Sequence, residues 1–384
     1  MASGRKKKIK NQNFFDYTLL FVVIFLIAFG LVMMYSSSTY DAASDHNGDS
    51  AFYLRKQLLA TILGVFVMAA TTLIDYHIWE RFAFPGLLIS FVLVILVLTP
   101  LGIEANGARR WISIGPLSLQ PAEVVKIEII LFCAVLINKV NKKYITTLKG
   151  MAAILLIPVV FALMLWKITS NLSSAIIVGG IAVVMLFVAD SDYSKYVIGA
   201  LLVVAAAAVV IYIATHWEGD SFRLKRIETW LDPESDPSDK GFQTLQALYA
   251  IGSGGIFGKG LGASMQKLGF LPEAQNDMIF SIICEELGLF GALAVILLFV
   301  LLIWRCMVIA NNAKDLFGAM LVVGVMAHFA IQVILNIAVV TNTMPNTGIS
   351  LPFISYGGTS EMFLMAEIGL VLNVSRQIRL RDAM

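Results

Sequence analysis

The residue best placed to do acid–base chemistry is Asp277, in the stretch GSGGIFGKGLGASMQKLGFLPEAQNDMIFSIICEELG from Gly252 to Gly288. It follows a glycine-dense, proline-containing loop and stands where a long apolar run begins. A carboxylate there is a candidate general base at the edge of a membrane. The same position equally suits an N-cap, whose backbone amides and helix dipole favour the ionised form. From Asp277, Ser281 and Glu285 follow at helical spacing, which puts all three on one predicted face. Upstream, Arg109, Arg110 and Trp111 adjoin, and paired guanidinium groups match phosphate oxygens in a bidentate fork. Glu123 and Lys126 lie three residues apart inside an apolar run. Ionisable groups there are costly and face a cavity or one another. An apolar replacement would serve packing alone, so this pair points to function.

Other patterns carry less. A phosphate loop would need glycine at Ser253 and serine or threonine at Gly260, so Gly252, Gly254, Gly255, Gly258, Gly260 and Gly262 are read as hinges and close-packing points. The last loop repeats the turn-rich recipe, with Pro345, Pro352, Gly357 and Gly358 around Ser355 and Tyr356. No nucleophile elbow is present. His328, Gln332 and Asn336 form a polar stripe suited to hydrogen bonds between helices. One histidine is too little for a metal site. Cys133, Cys284 and Cys306 all lie in apolar runs and read as small core residues.

The elements that position these groups are membrane helices. Of 384 residues, 58% are hydrophobic and 14% charged, and apolar runs approach the ~20 residues needed to cross a bilayer. The net charge of +2 gives no reason to expect nucleic acid. The expected fold is an all-α polytopic membrane protein with ten transmembrane helices. They run at about 17–35, 57–74, 82–100, 121–137, 151–166, 172–188, 193–215, 277–303, 316–340 and 361–374. Residues 1–16 form a basic cytoplasmic tail with Arg5, Lys6, Lys7, Lys8 and Lys10. Residues 17–375 form one membrane domain, and 376–384 a second cytoplasmic tail. Lys139, Lys142, Lys143 and Lys149 mark an inner loop, by the excess of basic residues on the cytoplasmic side. Most prolines then fall outside, where they favour rigid turns. A long outer loop, about 216–276, joins helices 7 and 8. Its Asp232-Pro233 and Asp236-Pro237 read as turns, and FQTLQALYAIG as a helix.

Three segments together resemble the SEDS family of cell-wall proteins, which includes FtsW, RodA and SpoVE. They are GARRWI with LSLQPAEVVK, then QALYAIGSGGIFGKGLGASMQKLGFLPEAQNDMIFSIICEELG, then TGISLPFISYGGTS, in the family's order across nearly the whole chain. The wording GLGASMQKLGFLPEA looks closer to the FtsW/SpoVE branch.

The resemblance implies an inverting peptidoglycan glycosyltransferase that polymerises lipid II at the outer face of the bacterial cytoplasmic membrane. It also implies a class B penicillin-binding protein as partner, among other divisome or elongasome membrane proteins. The family's essential aspartate matches Asp277, its tryptophan after paired arginines matches Trp111, and its intramembrane pair matches Glu123 and Lys126. With Arg109 and Arg110, the residues Lys267, Glu273 and Ser355 complete the expected substrate-binding set. The family often has His-Thr before the aspartate, where this chain has Gln275 and Asn276, which leaves Asp277 as the base. Its Pro-Asp-Leu-Gly-Thr is here Ser170, Asn171, Leu172, Ser173 and Ser174, so no chemistry is assigned to that loop. Magnesium or manganese is the cofactor open to this chemistry, and no organic cofactor is expected. The alternatives are a lipid II flippase using Glu123 and Lys126, and a non-catalytic scaffold for a transpeptidase.

Overall fold

The computed structural model describes residues 14–105, 108–114, 117–199, 201, 205, 209, 212, 229–235 and 240–378. The basic cluster Arg5–Lys10, most of the seventh expected span and the turn at Asp236-Pro237 lie outside them. Six described helices are long and apolar enough to cross a membrane: α1 (Tyr17–Asp45), α2 (Phe52–Leu73), α7 (Leu148–Lys167), α8 (Leu172–Ala189), α10 (Ile279–Asn311) and α11 (Leu316–Val340). A shorter apolar helix, α4 (Ala83–Leu96), follows the single turn α3 (His77–Glu80), and α6 (Lys142–Ile145) precedes α7. The first helix extends well past Tyr35, where its apolar run ends, through the part-buried Ser36 and the buried Ser37 and Ser38.

Two further helices, α5 (Pro121–Lys139) and α12 (Thr359–Arg376), carry more charge yet lie deepest. α5 packs against α4, α8 and α11 and buries both Glu123 and Lys126. Its opening fits its sequence, because Pro121 at the first helical position needs no N–H partner. α12 lies against α2 through small residues. A Cβ at Gly369 would collide with Thr71 and the Met68 carbonyl, and Thr71 Oγ1 donates to the Ala366 carbonyl at 3.2 Å. Close backbone approach of this kind drives helix association where lipid is as apolar as the side chains.

The fold is not wholly α. The outer loop between the third and fourth expected spans forms a three-stranded antiparallel sheet: β1 (Gly102–Ala105), β2 (Ala108–Ile114) and β3 (Leu117–Leu119). Trp111 pairs with Ile103, and Ile112 with Leu119. The signal was local. In the sequence, the turn dipeptides Asn106-Gly107 and Gly115-Pro116 flank the run Ala108 to Ile114, which ends in the alternating Ile112-Ser113-Ile114.

The expected surface helix is α9 (Lys240–Gly254), and it packs against α10 rather than lying alone. α10 is broken at Gly288, with φ 66° and ψ −163°. The glycine loop repairs the break by exchange of partners. Lys259 and Gly260 donate their N–H groups to the carbonyls of Glu285 and Glu286, each at 2.9 Å, while Leu289 N–H donates to the Gly255 carbonyl at 3.0 Å. The backbone groups released by the kink are thus satisfied internally, as an apolar surrounding demands. Only glycine fits at the crossing: a Cβ on Gly258 (φ 77°) would overlap the Glu286 carbonyl. The close-packing reading holds for Gly254 and Gly258, while Gly255, Gly260 and Gly262 turn with positive φ in open space.

Candidate functional site

A cleft of about 660 Å³ opens between α5, α8, α11 and the loops that cap them. Arg110, Trp111, Glu123, Lys126, Glu273 and Asp277 all line it. Residues far apart in sequence therefore converge as expected.

Asp277 sits just before α10 but is not its cap. The capping position is Met278, with no side-chain cap hydrogen bond. The Asp277 Oδ1 is enclosed without a hydrogen-bond partner. Burial, with the nearby Glu273 carboxylate adding to it, pushes the carboxyl up to about 7. This goes against the N-cap alternative and with the general-base reading: loss of water outweighs the helix end. Glu273 owes its place to a left-handed backbone (φ 57°), after which its carbonyl accepts from Asn276 N–H at 3.0 Å. The Asn276 side chain donates to the Glu273 carboxylate.

In the same cleft, the Lys126 ammonium and Glu123 carboxylate make a 2.8 Å ion pair, both nearly inaccessible. Arg110 reaches the cleft from β2 and donates to the Ser170 carbonyl at 3.0 Å. That contact brings the Ser170–Ser174 loop into the wall. Asn171 and Ser174 line the cleft even though the acid expected there is missing. Asn171 accepts from Ser174 N–H at 3.0 Å and starts α8. Trp230, Gln243 and Asn346, singled out by no sequence pattern, also line the cleft, as does Gln332 of the polar stripe. Trp230 is held by its indole N–H to the Asn342 carbonyl at 3.0 Å.

Three expected binders lie elsewhere. Arg109 pairs with exposed Glu104 and does not line the cleft; a β-bulge at Arg110, between the pairs Ile103–Trp111 and Glu104–Arg109, separates the two arginines. Lys267 is spent on a buried ion pair with Glu286 at 2.8 Å and a hydrogen bond to Ser36 at 2.9 Å. Ser355 accepts from Leu351 N–H at 2.7 Å and closes a turn. The expected common face of Asp277, Ser281 and Glu285 also dissolves. Ser281 donates to the Met278 carbonyl at 2.6 Å. Glu285 accepts from Lys259 at 2.6 Å and Ser264 at 2.5 Å, away from the cleft. Asp277 lies before the helix, so helical spacing does not govern it.

Comparisons with known proteins fit this architecture. A family model described as a cell cycle protein, spanning FtsW, RodA and SpoVE, matches residues 17–380. The chain is 38% identical over 367 residues to a protein named probable peptidoglycan glycosyltransferase FtsW from Trichlorobacter lovleyi, covering 95% of this chain and 94% of that one. It is 39% identical over 365 residues to stage V sporulation protein E of Bacillus subtilis, covering 95% and 98%. Among solved structures, a chain from a peptidoglycan synthase complex, studied for the coordination of polymerization and crosslinking, superposes with TM-score 0.77 at 26% identity, covering 94% and 98%. The rod shape determining protein RodA of Thermus thermophilus superposes with TM-score 0.67 at 26% identity, covering 96% and 98%.

Proposed function

This chain belongs to the FtsW/RodA/SpoVE family, and from that premise and the cleft we propose that it is a peptidoglycan glycosyltransferase polymerising lipid II. The observation that carries the reading is Asp277, a carboxyl with an unpartnered Oδ1, in one cleft with Arg110 and Lys126. Asp277 takes the proton from the acceptor sugar's 4-hydroxyl. The oxygen attacks the anomeric carbon of the donor, and the bond to undecaprenyl diphosphate breaks with inversion. A carboxyl shifted to about 7 is half ionised near neutral pH and more basic than a free one. Arg110 and Lys126 face the charge that develops on the departing diphosphate. Among the described residues no three His, Cys, Asp or Glu side chains converge. Magnesium or manganese would enter here with the diphosphate, held through one or two carboxylates and the substrate's own oxygens.

In this reading the chain crosses the bacterial cytoplasmic membrane ten times with both ends inside, and the cleft faces outward. A class B penicillin-binding protein crosslinks the strands it makes, alongside other divisome or elongasome proteins. The purified chain in lipid vesicles, with and without that transpeptidase, should convert lipid II to glycan strands. Asp277→Asn should slow this by roughly 10²–10⁴, the usual worth of a positioned base. Lipid movement across the vesicle without polymer would sink the reading in favour of a flippase, and undiminished turnover by Asp277→Asn would sink the base assignment.

A further inference from the structure

The polar stripe of α11 divides by partner. His328 pairs through Nδ1 with Glu367 on α12 at 2.8 Å, a contact between helices. Gln332 and Asn336 reach loops instead. Gln332 Nε2 donates to the Ser350 carbonyl at 3.0 Å. Asn336, wholly buried, donates from its single Nδ2 to two carbonyls, Asp277 at 2.9 Å and Ile349 at 2.6 Å. Those acceptors settle the amide's orientation, because the flipped form would set Oδ1 against both oxygens. A hydroxyl has one hydrogen and cannot serve both.

The two carbonyls belong to two segments that line the cleft. One is the backbone of Asp277 itself, and the other is that of Ile349, between Gly348 and Ser350. The two segments are adjacent: a Cβ added at Gly348 would stand 3.7 Å from Asp277 Oδ2. A second tether lies two residues earlier, where Tyr356 N–H donates to the Gln275 carbonyl at 2.9 Å. Since Asp277 Oδ1 has no hydrogen-bond partner, its carboxyl is aimed through the backbone rather than by side-chain bonds.

We propose that Asn336 is the positioning residue of this site, clamping the Asp277 backbone to the Ile349 wall so that the carboxyl meets the acceptor hydroxyl. This rests on the reading of Asp277 as the base. Asn336 touches no substrate and acts only through Asp277. A misplacement of about 1 Å at a reacting group costs on the order of 10²-fold in rate.

The test uses the full chain in vesicles, lipid II as substrate, and separate kcat and KM values. Asn336→Asp keeps the volume and removes both donors. It should lower kcat roughly 10–100-fold with KM within about twofold. Combined with Asp277→Asn it should cost nothing further, because a residue that only aims a base has no effect once the base is gone. A residue that merely held the fold would depress the residual activity again. If Asn336→Asp does not accumulate folded, Asn336→Ser, smaller and with one donor, runs the same comparison. Wild-type kcat in the Asn336 variant beside a dead Asp277→Asn overturns the positioning role alone. A loss that multiplies with that of Asp277→Asn overturns it too. Full turnover by Asp277→Asn removes the base reading and this proposal with it.

Discussion

Eight and nine residues separate Asp277 from Glu285 and Glu286, yet the carboxylates live under opposite rules. Glu285 receives Lys259, Ser264 and the N–H groups of Met265 and Gln266. Glu286 receives Lys267 and Ser36, with Ser264 N–H at 3.4 Å. Both are wrapped by the loop they stabilise. Asp277 has enclosure without such partners, and its Oδ1 is left to whatever enters the cleft. Burial alone does not distinguish a working acid from a structural one. The donors around it do.

Mutants should separate the two regions. The largest contrast is between Glu286→Ala and Asp277→Asn under thermal or denaturant unfolding. Breaking a buried pair strands its partner and costs roughly 3–5 kcal/mol, and Lys267 is only 10% exposed. Asp277→Asn should unfold like wild type, since it leaves a neutral group where a charge was unwelcome. Equal destabilisation by both would erase the distinction.

A pH profile sharpens it. A base must be deprotonated, so with its carboxyl at about 7 the rate should rise about tenfold per unit below pH 7 and level off above. Glu273→Gln removes a like charge and should move that limb to lower pH. A limb that stays put would exclude Glu273 as a contributor. The smallest effect belongs to Arg109→Gln. An exposed pair such as Arg109–Glu104 is worth about 0–1 kcal/mol, and its removal should leave turnover near wild type where Arg110→Gln lowers it.

Much of the helical scaffold was readable from periodicity and hydropathy. The kink at Gly288 was not, because its backbone partners come from a loop some thirty residues earlier and no window along α10 contains them (about 30 residues, beyond the 11–18 used to read periodicity). Lys267 and Ser355 were misread for a related reason. Each sits within a motif beside the cleft, and motif membership says nothing of where a side chain is spent. Arg109 and Arg110 looked equivalent as neighbours until a β-bulge at Arg110 set one on Glu104 and the other in the cleft.

Sequence alone determined the class of molecule: apolar runs of spanning length, a carboxylate at the start of one, and motifs ordered along the chain. Those properties are local or periodic, so they survive without coordinates. Tertiary structure decided which groups are free to react. Ser36 meets Glu286 across 250 positions, and Asn336 meets Asp277 across 59. Availability depends on desolvation and hydrogen-bond satisfaction, both of which exist only once distant segments have packed.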